Sequence, residues 1–180
     1  MSEAKFVSRA VRKKDAQALV TGKPVYTGDL VPAGALTVKL LRSPHARAWI
    51  EEIDCTAAMK IPGVVAIYTW QDVPQSRFTT AGQTYPEPSP YDRLILDRQI
   101  RCAGDPVAIV AAETPEAARK ALDRIKVRYQ VQEPLLDFTK AKDNPIVVHP
   151  EENFRTLCDV GTDASRNLCS TEQSEVGDVE

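Results

Sequence analysis

The hydrophobic positions of this chain fall into short blocks with two different periods. Across 35–41, Leu36, Val38 and Leu40 share one face at a period of two, which predicts a strand. Arg42-Ser43-Pro44-His45 breaks it, because Pro44 lacks an amide hydrogen and holds Ser43 extended. Ala46, Ala48, Ile50 and, after a slip, Ile53 predict a second strand over 46–53. Two strands across a short break predict a hairpin. Asp54 or Thr56 is placed to cap a short helix through 57–60, which Pro62-Gly63 ends. The uninterrupted run Val64-Val65-Ala66-Ile67-Tyr68 predicts a strand covered on both faces.

The character changes over 75–92, where Pro86, Pro88 and Pro90 alternate with polar residues. This predicts a long loop with extended, polyproline-like stretches. Apolar residues return at 94–96 and 100–102, and Gly104-Asp105-Pro106 predicts a turn. Residues 107–112 predict another buried strand. Thr114 then suits an N-cap, Pro115 the first helical position and Glu116 the positive end of the helix dipole. Ala117, Ala118, Ala121, Leu122 and Ile125 make one apolar face of a helix of about 12 residues. Alternation resumes over 127–131, so 107–131 reads as strand–helix–strand, the usual signature of a right-handed crossover between parallel strands. With the earlier hairpin, this predicts an α+β fold: a mixed sheet with helices packed on one face.

The flanks are less regular. Residues 1–21 predict an extended N-terminal arm that packs in part, and 22–150 the folded domain. A short strand is expected at 146–148. Residues 151–180 are dominated by Ser, Thr, Asp, Glu and Asn, which predicts a linker or tail, poorly ordered by itself.

Composition narrows the function classes. The 180 residues suit one domain, at roughly 100–200 residues per domain. The formal charge is -2, and Arg12-Lys13-Lys14 is expected to be a solvated patch. Neither nucleic acid nor an anionic membrane surface is therefore an expected partner. No stretch approaches the ~20 apolar residues of a membrane span, and no apolar signal core follows the start, so a cytoplasmic location is expected. The four cysteines, Cys55, Cys102, Cys158 and Cys169, form no C-x-x-C pair. Free thiols are expected rather than a zinc or iron–sulfur ligand set.

Candidate chemistry is sparse. The two histidines are His45 and His149. Ser43 and His45 could form a dyad, but neighbours this close on an extended chain align poorly, so surface or turn histidines are expected. Glu51-Glu52 and Glu151-Glu152 are expected to be solvated. No phosphate loop or dinucleotide turn is present. Ala58-Met59-Lys60-Ile61 resembles the tetrapeptide of biotin carrier domains, with Lys60 as attachment point. Here a helix precedes it and Pro62-Gly63 follows, so the expectation is that Met59 and Ile61 pack inward while Lys60 is solvated. A free-standing binding module using the Pro-rich loop 75–92 is the other rival reading.

Several segments in order resemble the amino-terminal region of molybdenum hydroxylase large subunits, of the xanthine dehydrogenase and aldehyde oxidase family. Thr21-Gly22-Lys23-Pro24-Val25-Tyr26-Thr27-Gly28-Asp29 is similar to the family's entry motif. Arg42-Ser43-Pro44-His45-Ala46-Arg47-Ala48 resembles its R-S-P-H-A-x-A. Ile53-Asp54 with Ala57 or Ala58, then Pro62-Gly63-Val64-Val65-Ala66, matches its I-D-x-x-x-A-x-x-x-P-G-V, and Asp72-Val73-Pro74 follows. Gly104-Asp105-Pro106-Val107-Ala108, Ala117-Ala118-Arg119-Lys120-Ala121 and Val127-Arg128-Tyr129 complete the series. The resemblance covers roughly 9–150 and implies an α/β hammerhead fold.

The family hydroxylates heteroaromatic rings or aldehydes at a molybdenum–pterin (molybdopterin) centre, passing electrons through iron–sulfur clusters, usually to FAD. The resemblance implies that the pterin-cradling residues and the base lie after this domain, whose opening segment Glu175-Val176-Gly177-Asp178-Val179-Glu180 resembles. It thus implies a non-catalytic scaffold domain, inactive alone. Catalytic, cofactor-binding and metal residues are expected to be none in this chain. Its expected partners are the molybdopterin-binding domain and the iron–sulfur and FAD domains or subunits.

Overall fold

The computed structural model describes residues 10–80 and 89–177. The chain divides into two units, Met1–Ala35 and Leu36–Glu180. In the first, the expected extended arm includes a short helix, α1 (Ala16–Val20). The Thr21 hydroxyl closes that helix by donating to the Gln17 carbonyl at 2.7 Å. A 3-10 turn spans Thr27–Leu30, and the Asp29 carboxylate accepts the Tyr26 amide at 2.9 Å.

Among the described residues, the second unit holds six strands in two three-stranded antiparallel sheets. One contains β1 (Thr37–Arg42), β3 (Val64–Tyr68) and β5 (Pro106–Ala112), in the order β1-β5-β3. The other contains β2 (Ala48–Asp54), β4 (Gln99–Ile100) and β6 (Lys126–Val131), in the order β4-β2-β6. Odd strands make one sheet and even strands the other, so the chain changes sheet at every connection.

The α+β class is as expected, while the sheet arrangement differs from one mixed sheet. The expected hairpin over 35–53 does not form: β1 pairs with β5, from Thr37↔Ala112 to Arg42↔Pro106, and β2 pairs with β6. The break at Pro44 is where the chain leaves one sheet for the other. The strand–helix–strand unit is not a parallel crossover either. β5 already carries β1 and β3 on its two edges, so no edge remains for β6, which pairs with β2 instead. The slip expected before Ile53 is real, as a register shift between Ile50 and Glu52.

β5 is the strand covered on both faces, with Val107, Ala108, Val110 and Ala112 fully buried. Val110 and Ala112 pack in one core with Ala58 of α2 (Thr56–Met59) and Ala117, Ala118 and Ala121 of α3 (Pro115–Leu122). Alanines at the contact let the helices lie close to the sheet. Val107 packs in a second core with Ala48, Ile50 and Ile100 of the other sheet. α3 starts as expected, with the Thr114 hydroxyl accepting the Ala117 amide at 3.1 Å. It ends earlier, at Leu122, and a turn brings Ile125 against the same core. At α2 the N-cap is Cys55, and Asp54 instead accepts the Thr56 amide at 2.9 Å.

β3 has the expected bounds but is an edge strand, and Val65 and Tyr68 are about half exposed. In β1 the apolar stripe faces outward: Val38 is 58% exposed and Leu40 36%. Val38 lies opposite Ala111, and Leu40 and Tyr68 both lie opposite Ile109. Residues directly opposite project to one face. The sheet therefore presents an open apolar surface on the side away from α2 and α3. The expected strand at 146–148 is irregular chain, as is the apolar stretch 94–96, although Leu96 is fully buried.

Candidate functional site

Two of the motifs that carry the resemblance meet in space. The Ser43 amide donates to the Asp105 carbonyl at 2.9 Å, and the Gly104 amide to the Ser43 carbonyl at 2.8 Å. The Arg42 guanidinium donates to the Gly104 carbonyl at 2.8 Å. The buried Ser43 hydroxyl is occupied by its own turn, accepting the His45 amide at 3.0 Å and donating to the His45 carbonyl at 3.2 Å. The His45 ring instead meets Tyr129 edge-on, with centroids 4.9 Å apart. No Ser–His dyad forms. These motifs fasten the start of β5 to the break after β1.

Lys60 does not stand at the tip of a hairpin. It follows α2 directly and leads, through Gly63 at φ +84°, into edge strand β3. Ile61 packs against the helix core as expected, while Met59 is largely exposed. Of the Pro-rich loop, Pro86 and Pro88 lie outside the described residues. The four cysteines are free thiols. Cys102 donates to Asp105 at 3.0 Å; that bond and partial burial raise its pKa, which makes it a poor nucleophile. Burial alone would raise Asp105, but the Cys102 thiol and the Arg101 and Cys102 amides outweigh it and hold the carboxyl below the usual range.

The densest polar constellation lies beside β4. Arg93, Asp97, Arg101, Asp105 and His149 line a cleft of about 200 Å³. Two sequence expectations fail here. Glu151 is not solvated: its carboxylate meets Arg77 at 3.0 Å and also meets Arg101. His149 is not a simple turn residue. Its Nδ1 lies 3.4 Å from Glu151 and its Nε2 4.0 Å from Asp92, and its ring tilts against Phe154. Burial pushes His149 down to about 4. The positive charges of Arg101, Arg77 and Arg93 act the same way, and Asp92 opposes them. The imidazole is thus neutral at pH 7. The one signal for this cluster in the sequence is the recurrence of acid and base over 92–105, at Asp92, Arg93, Asp97, Arg98, Arg101 and Asp105.

What this arrangement can do is fasten chain segments together. Among the described residues, no three His, Cys, Asp or Glu side chains gather closely enough to hold a metal ion. No chemical step is assigned to these side chains. No helix among the described residues is long and apolar enough to cross a membrane.

Comparison with known proteins gives the site its context. Residues 21–133 match the family model described as "Aldehyde oxidase and xanthine dehydrogenase, a/b hammerhead domain". The "Probable hypoxanthine oxidase XdhD" of Escherichia coli (strain K12) is 42% identical over 83% of this chain and 16% of its own length. The "Xanthine dehydrogenase molybdenum-binding subunit" of Escherichia coli O157:H7 is 40% identical over 64% of this chain and 16% of its own. Among solved structures, the aldehyde oxidoreductase from Desulfovibrio gigas superposes with a TM-score of 0.64 at 31% identity, covering 76% of this chain and 16% of that one. Quinoline 2-oxidoreductase from Pseudomonas putida 86 gives 0.63 at 32%, covering 73% and 17%. The chain spans about a sixth of the length of these relatives. It belongs to the aldehyde oxidase and xanthine dehydrogenase family of oxidoreductases, through that family's α/β hammerhead domain.

Proposed function

We propose that this domain is a non-catalytic scaffold within a larger molybdenum hydroxylase that oxidises a purine or other heterocycle, or an aldehyde. In this reading residues 22–150 are the hammerhead proper, 1–21 an arm, and 151–180 the lead into the domain that holds the molybdopterin. The chain itself supplies no catalytic, pterin or metal residue. Its partners are the molybdopterin-binding domain and the iron–sulfur and FAD domains or subunits, and the assembly is cytoplasmic.

The observation that carries the reading is the open apolar face of the β1-β5-β3 sheet. Val38, Leu40 and Tyr68 stand on it with their side chains substantially in water, although Val38 and Leu40 alternate as core positions do. Contiguous exposed apolar surface of this kind marks an interface.

Two measurements test the proposal. Purified by itself, the chain is expected to contain no stoichiometric molybdenum and to turn over no purine. Stoichiometric metal by elemental analysis, or turnover, refutes the scaffold role. In a full hydroxylase containing this domain, Val38→Glu is expected to lower the yield of assembled enzyme while leaving the melting temperature of the isolated domain unchanged. Normal assembly would show that this face is not the interface.

A further inference from the structure

Glu151 is the centre of a fastening that neither sheet requires. The three side chains of the Arg77–Glu151–Arg101 trio are largely shielded from water, at 7% exposure for Arg77, 15% for Glu151 and 11% for Arg101. The same two arginines also hold the chain on either side of the carboxylate. Arg101 Nε donates to the Val148 carbonyl at 3.2 Å, and Arg77 Nε to Asn153 Oδ1 at 2.7 Å. Each arginine is anchored in turn. Arg77 donates to the Asp92 carbonyl at 3.0 Å, and Arg101 pairs with Asp97 at 2.6 Å. The Tyr91 amide adds a bond to the Arg155 carbonyl at 2.8 Å.

Apolar support beneath this segment is thin by contrast. Val148 and His149 line two clefts of about 200 and 270 Å³, and Val148 lines a third of about 280 Å³. Side chains lining open clefts bury little apolar surface, so attachment rests on the ion pairs of Glu151 and on the hydrogen bonds that Arg77 and Arg101 donate to Asn153 and Val148. A buried trio of this kind holds only while complete, since removing one member strands a desolvated charge.

We propose that residues 148–155 form a strap, locked across 75–80 and 91–101 by the Glu151 carboxylate, and that loss of this one charge frees the strap without unfolding the sheets. The lock then sets where the chain after Val148 crosses the β4 side of the domain, before Asn167 returns to accept the Val148 amide at 2.8 Å. Its release is a local opening, of the kind that belongs to segments with few buried apolar contacts.

Hydrogen exchange on the full chain tests this. Glu151→Gln keeps the shape and removes the charge. Peptides spanning 89–93 and 147–156 are expected to exchange at least tenfold faster, with new tryptic cleavage at Arg155, while β5 and α3 keep their protection. Unchanged exchange in the strap, or equal acceleration in β5, overturns the proposal. Should Glu151→Gln not accumulate as folded protein, Arg77→Gln serves instead: Arg101 still neutralises the carboxylate, so no negative charge is stranded, and the same peptides are expected to exchange faster because the trio is incomplete. The double variant is expected to release the strap no faster than Glu151→Gln alone. Additive acceleration would mean two independent contacts rather than one lock, and would also overturn it.

Discussion

Thr114 and His149 lie at opposite ends of what single residues disclose. Thr114 acts on the amide of Ala117, three residues away, so its capping role is written in the local order Thr-Pro-Glu. His149 takes its character from Arg77, Asp92, Arg93 and Arg101 on other segments and from Glu151 beside it. No local pattern announces those neighbours. Its pKa, ordinarily 6.5, falls to about 4, so the folded chain favours the neutral ring. Stability from this source is complete above pH 6.5, falls as the released state takes up a proton, and is gone below about pH 4. The full shift corresponds to about 3 kcal/mol, and solvent screening of the partly exposed ring leaves a fraction of that. Strap protection, followed by hydrogen exchange from pH 7 to 4, is expected to weaken across that window. His149→Gln should flatten the profile, and an unchanged profile in that variant would assign the pH response to another group.

At the scale of elements, the periods of the sequence located strands better than they ranked them. Residues 64–68 and 107–112 are equally uninterrupted apolar runs, yet β5 is central and β3 is an edge. Neighbour identity depends on pairings such as Thr37 with Ala112, which no short window contains. Likewise the stripe of β1 was legible as apolar, but not as the face left open. The two kinds of position should respond differently to truncation. Val110, fully buried between α3 and the sheet, is expected to cost ~2 kcal/mol as Val110→Ala. Val38→Thr on the open face should stay within about 0.5 kcal/mol of the parent. Urea denaturation of the isolated chain measures both, and equal losses would show that the open face is in fact packed.

At the scale of the whole molecule, membership of the hydroxylase family rests on an ordered series of Gly- and Pro-containing motifs, and the structure explains why they recur together. They mark the places where the chain departs one sheet for the other, as at Ser43-Pro44 and Gly104-Asp105, which are bonded to each other. This strict alternation of strands between two sheets has a consequence for how the domain can be divided. A cut between β3 and β4 leaves one piece with β1, β3 and β2, and the other with β5, β4 and β6. Each piece then holds an incomplete half of both sheets, and the first lacks the central β5 that joins β1 to β3. Neither piece is a foldable subdomain, yet each carries the missing strands of the other. The hammerhead is therefore a unit to be inherited or exchanged whole, and its two halves are natural partners for reconstitution from separate chains.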